Sequence, residues 1–164
     1  TDLAGRDITE HLQLLLRRGG YDFHTSAEKE VVRTIKEQCC YVALDARKEE
    51  ELAETADRAN STQCTFRLPD GQTISIGPER FRAPEALFDP ALIGDECLGV
   101  HETLYHSIAR SDLDLRARLY SSVVLSGGST LFPGFGQRLL DEARNLAPKN
   151  IKIRINASPD RLYR

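Results

Sequence analysis

Apolar residues at helical spacing open the chain. Over Asp7 to Arg18, Ile8, Leu12 and Leu15 fall on one face with Leu16 beside it, predicting an amphipathic helix. Asp7 is placed to cap it, Glu10 three residues on is the expected reciprocal partner, and Gly19-Gly20 ends it. A second helix is predicted from Thr25 or Ser26 to about Cys40, with Thr25 and Glu28 spaced as a capping box. Val32, Ile35 and Cys39 share its inward face, and Glu30, Arg33 and Glu37 lie on the polar side. Residues 46 to 59 are charged with few apolar anchors, which fits an exposed helix or a mobile insert.

The period then changes. Thr65 to Leu68 and Thr73 to Ile76 flank Pro69-Asp70-Gly71-Gln72, the turn chemistry of a hairpin. Gly77 to Phe88 holds two prolines and predicts short turns and helices, and Phe88 to Gly99 reads as a loop carrying Leu92, Ile93 and Leu98. Helical spacing returns over Val100 to Arg110 and Leu113 to Ser122. Val123-Val124-Leu125 reads as a short buried strand, followed by Ser126-Gly127-Gly128-Ser129 and a helix from Phe135 to Leu146. With a strand at Ile151 to Ile155, this predicts a crossover unit with a parallel pair, and so an α/β fold.

Composition narrows the classes. The 164 residues can bury a real core in one or two small domains, and 40% apolar with 29% charged residues suits a soluble globular chain. A net charge of -3 supplies no basic field, so no nucleic-acid partner is expected. No apolar run is long enough for a transmembrane helix, Thr1 to Arg6 lacks the form of a signal peptide, and no membrane partner is expected. Methionine is absent, which predicts a processed product or a piece of a longer protein with apolar surfaces the rest would cover.

Little conventional chemistry is visible. Cys39, Cys40, Cys64 and Cys97 include no Cys-x-x-Cys pair, so buried, reduced thiols are expected and no metal site. His101 and His106 are five apart and do not share a helix face; with His11 and His24 they read as ordinary histidines. No spacing supports a Ser-His-Asp triad, and Ser111 or Asp112 reads as a helix cap. The Gly127-Gly128 turn has neither the spacing nor the lysine of a Walker loop, and Ser126 is not in a Gly-x-Ser-x-Gly elbow. A strand, a bare glycine turn and a helix can hold a nucleotide, or can be a tight connection with no ligand.

Read in order, the segments resemble the actin superfamily. The resemblance rests on Asp2 to Asp7, Ile35-Lys36-Glu37, Cys40 to Asp45, Leu68-Pro69-Asp70-Gly71, Ile76 to Glu85, Val100 to Thr103, the Gly-Gly run and Leu146-Ala147-Pro148. Tyr21 to His24, Phe81 to Glu85, Gly128 to Phe132 and Arg161-Leu162-Tyr163 look most like the centractin-type actin-related proteins of the dynactin filament. Conventional actin, or a sugar-kinase or heat-shock-type ATPase of the same superfamily, is the alternative.

The resemblance implies an α/β, ribonuclease H-like second lobe, incomplete. Residues 5–95 match the mainly helical subdomain four, with the 65–76 hairpin at its boundary, and 96–164 match most of subdomain three. It further implies a cytoplasmic, cytoskeletal filament protein that binds ATP with Mg between two lobes. This chain would lack the residues that grip phosphate and organise Mg, and would be inactive, with no cofactor bound by itself. Gly5, Arg6, Arg33, Lys36, Glu37, Gly127, Gly128, Ser129, Phe132 and Leu162 match positions on the adenosine side. Phe132 stands where conventional actin has tyrosine, and Leu162 where it has lysine. Thr25, Ser26, Pro69, Asp70, Asp112, Leu113 and Asp114 match surfaces touched by neighbouring subunits, and Leu92 and Ile93 match a loop that crosses between strands. The alternative is a loop that folds its apolar residues back on its own domain.

Overall fold

The structure is a computed structural model that describes residues 3–55 and 63–162. Helix α1 (Gly5–Arg18) starts two residues before the expected position. Ala4 is its cap residue, and Asp7 accepts the Ala4 N–H at 2.8 Å from inside the first turn. Glu10 is not the reciprocal cap; it accepts Lys29 Nζ at 2.6 Å and links α1 to the next helix. That helix, α2 (Ser26–Cys39), carries the expected capping box. Glu28 N–H donates to Thr25 Oγ1 at 3.2 Å, and Thr25 N–H donates back to Glu28 Oε2 at 2.7 Å. Ile8, Leu12, Leu16, Val32 and Ile35 are all buried where the two helices meet.

Helix α3 (Ala46–Thr55) buries no residue, as an exposed charged helix should, although Arg82 Nε donates to Glu50 at 3.0 Å and pins it. The rest of that charged stretch, 56–62, lies outside the described residues. Strands β1 (Cys64–Arg67) and β2 (Thr73–Ile76) pair antiparallel, with Phe66 opposite Ile74. Leu68 N–H donates to Gln72 O at 2.8 Å, and Gly71 takes a positive φ of 88° in the turn. After α4 (Glu79–Glu85), a single 3₁₀ turn at Pro90–Ile93 shapes the expected loop.

Helices α5 (Val100–Ala109) and α6 (Leu113–Tyr120) lead into β3 (Val123–Leu125). A 3₁₀ turn at Gly128–Leu131, helix α7 (Phe135–Leu146) and β4 (Ile155–Ala157) complete the chain. β3 and β4 are parallel, with Val123 opposite Ile155. The crossover is as expected, but the last strand is not at 151–155. Ile153 and Ile151 instead pack with Ile108, Tyr120 and Ala143 in a small second core. Burying Ile153, with Ile151 packed against the same cluster, beside α5 and α7 shifts the ladder to the residues that follow.

The main core does not break near residue 95. Leu125, Phe132, Phe135 and Leu139 join the cluster that α1, α2 and the hairpin build. Two polar devices stitch these parts. Val42 N–H donates to Pro133 O at 2.8 Å, and the backbone passes so close that a Cβ on Gly134 would sit 2.3 Å from Val42 O. Arg138 on α7 is buried, donating to Glu85 of α4 through both terminal nitrogens and to Ala43 O at 2.8 Å. No disulfide joins the four cysteines; Cys39 and Cys40 are buried as expected, while Cys64 and Cys97 are only half-buried.

Candidate functional site

The start of α1, one face of α2 and the glycine turn after β3 enclose a cavity of about 860 Å³. Gly5, Arg6, Arg33, Lys36, Glu37, Gly128, Ser129, Phe132 and Leu162 all line it. Residues far apart in sequence thus reach one groove because α1 and α2 pack side by side and the crossover returns the turn against them. Gly127, the remaining candidate, is not in the lining. A Cβ there would meet nothing within 4 Å, but its φ of 91° is a conformation that side chains disfavour. It shapes the turn, and its carbonyl accepts the Thr130 hydroxyl at 2.8 Å.

Lys36, next to the polar side of α2, turns inward. Its side chain is buried, and Nζ donates to Gly5 O at 2.8 Å and Thr9 Oγ1 at 3.0 Å. Burial holds its ammonium below the ordinary lysine range. The charge ties α2 to the first turn of α1 at the cavity lining. Arg33 remains exposed, as expected, and donates to Glu37 at 3.0 Å and Glu30 at 3.1 Å. The Glu37 carboxylate, steadied by that bond, is exposed at the cavity.

On the opposite wall, Gly128 exposes bare backbone and Leu162 lies over it. A Cβ at Gly128 would come 3.3 Å from Leu162 Cδ1. Arg161 fixes this cover, donating to Thr130 Oγ1 at 3.1 Å and Thr130 O at 2.9 Å, while Gly127 N–H donates to Arg161 O at 2.8 Å. The Phe132 ring is buried and joins the cavity floor to the core.

The reading from sequence missed Thr9, Ser26, Lys29, Glu30 and Leu131, which also line the cavity. Ser26, Lys29 or Glu30, and Arg33 repeat at three- and four-residue steps before Lys36, so helical spacing could have found them. Nothing local marks Thr9 or Leu131. Arg6, Lys29, Arg33 and Lys36 face two carboxylates, Glu30 and Glu37, so the described lining is net cationic and suits an anionic or polyhydroxyl ligand.

The expected contact surfaces divide. Thr25, Ser26, Pro69, Asp70, Asp112, Leu113 and Asp114 are exposed. Leu92 is 50% exposed, but Ile93 packs against the main core, so only one of the two loop residues is presented outward.

Comparison with known proteins matches a family model described as Actin over residues 1–164. An actin-like protein of Neurospora crassa is 59% identical over 162 residues, covering 99% of this chain and 43% of the relative. The chain therefore spans less than half the length of that curated relative.

Proposed function

The chain belongs to the actin family, and on that premise we propose that its cavity receives the adenosine end of ATP in a centractin-type filament protein. The carrying observation is convergence: nine residues assigned to the adenosine side by resemblance line one net-cationic groove. Its chemistry suits the ligand. Glu37 offers carboxylate oxygens to ribose hydroxyls. Leu162 over the Gly128 backbone offers a planar group an apolar face, and Phe132 and Leu131 supply an apolar floor. Arg6 and Arg33 provide positive charge at the rim.

In this reading the chain is the base-side half of a ribonuclease H-like clasp. Phosphates and Mg would be held by a facing lobe, and phosphoryl transfer depends mainly on that positioning. The chain alone would therefore bind ATP weakly and hydrolyse none at a useful rate. Leu162 in place of the lysine of conventional actin supports the centractin-type assignment. The exposed Thr25–Ser26, Pro69–Asp70, Leu92 and Asp112–Asp114 surfaces would meet neighbouring subunits of a cytoplasmic, cytoskeletal filament.

The test is Glu37→Gln in the whole protein. The variant keeps the shape of the side chain and removes its charge. ATP should bind about tenfold more weakly, about 1.4 kcal/mol, while inorganic tripolyphosphate, which has no ribose, binds unchanged. Equal ATP affinity in both proteins would refute the assignment.

A further inference from the structure

We propose that Cys39 and Cys64 are a redox pair, closed to a reversible disulfide by hydrogen peroxide, that staples the β1–β2 hairpin to the end of α2. Cys39 is the last residue of α2 and Cys64 the first of β1. They stand twenty-five positions apart in sequence, yet their Sγ atoms lie 3.1 Å from one another, with the Cys64 thiol donating to Cys39. No disulfide joins them. A disulfide bond is about 2.05 Å long, so closure asks the sulfurs to approach by about one ångström. Two sulfurs already in contact across packed elements can do that by small side-chain rotations.

Their surroundings assign the two roles. Cys64 is half-buried and meets oxidant first. Cys39 is buried, and burial with the neighbouring thiol pushes it up to about 12, so it is poorly reactive towards solvent oxidants. The Arg80 side chain, which donates to Cys39 O at 2.8 Å, places a guanidinium beside Cys39 that partly opposes this upward push. Cys40 is buried next in sequence and is likewise pushed up to about 12.

The chemistry balances. The Cys64 sulfur attacks one oxygen of hydrogen peroxide, the O–O bond breaks, and Cys64 sulfenic acid and water form. The Cys39 sulfur then attacks the Cys64 sulfur, the S–O bond breaks, and the leaving hydroxide departs as water with the Cys39 proton. Two thiols are oxidised and one peroxide is reduced to two waters. Contact between the sulfurs makes the second step intramolecular and offsets the reluctance of Cys39 to ionise. The bond would close a loop containing α3 and restrict the unfolded chain.

The test treats the folded, intact protein with limiting hydrogen peroxide and maps peptides without reduction. The expected result is a Cys39–Cys64 linked peptide, removed by dithiothreitol, with a melting temperature raised by about 5 °C. Cys97→Ser should keep the link and Cys64→Ser should lose it. Cys39→Ala should strand the sulfenic acid on Cys64, where dimedone traps it. Peroxide that leaves both thiols free, carries Cys64 to sulfinic acid without a link, or joins Cys64 to Cys40 or Cys97 would overturn the proposal. So would a Cys39→Ala protein that yields no dimedone adduct on Cys64.

Discussion

Arg138→Leu should be costly in a simple unfolding assay. The guanidinium is 10% exposed and its Glu85 partner 12%, so solvent does little to screen either. Arg138 makes two bonds to Glu85, one to Glu142 and one to Ala43 O, and its plane lies over the Phe88 ring. Leucine fills much of the stem volume but strands the Glu85 charge, and breaking such a pair costs about 3–5 kcal/mol. That is a large part of the ~5–15 kcal/mol that holds a typical domain. Adding Glu85→Leu removes the stranded charge, so the double variant should recover at least about half of the loss.

The deficit should also depend on pH. Burial already raises the Glu85 carboxyl above its ordinary range, while the Arg138 bond opposes the rise. A carboxyl raised on folding favours the native state below its ordinary value and loses that contribution as pH rises through the raised one. Without Arg138 the rise grows, so the single variant should be weakest at neutral pH and recover partly towards pH ~5. Urea unfolding followed by circular dichroism, on all four members of the cycle at both pH values, reads this directly. A single-variant cost below about 1 kcal/mol, or a double variant that loses the simple sum, would refute the claim of a dry, coupled pair.

Two further outcomes follow from the backbone and the loop. Gly127→Ala should cost about 1–3 kcal/mol through its positive φ alone, seen as a lower melting temperature, because a Cβ there meets no neighbour. An unchanged melting temperature would contradict the assigned backbone. Leu92→Asp should leave stability within about 0.5 kcal/mol and, under the proposed filament role, reduce sedimentable polymer of the whole protein, whereas Ile93→Asp should lower the melting temperature first. Equal effects of the two on folding would contradict the outward and inward placement.

Most of the elements were legible because their signals are local. The Thr25–Glu28 box, the Pro69-Asp70-Gly71 turn and the 3.6-residue spacing of α1, α2 and α7 each act within a few residues. Errors fell where a partner from elsewhere decides. Glu10 turned to Lys29 rather than to its own helix end. Ile151 and Ile153, which read as strand, found a core beside α5 and α7, and the ladder moved beyond them. In the loop left open between two outcomes, Ile93 found the main core and Leu92 did not.

The candidate site shows the same division. The ordered likeness to one family groups Gly5, Arg33, Glu37, Gly128 and Leu162 before any coordinate is known, and all five line one cavity. Tertiary structure alone decided what each can do there. It buried the Lys36 ammonium against Gly5 and Thr9, left Glu37 open to the cavity, turned Gly127 out of the lining, and brought Cys64 against Cys39. Spacing along a chain fixes the face on which a side chain emerges, whereas burial, charge pairing and reactivity depend on the element that packs against that face.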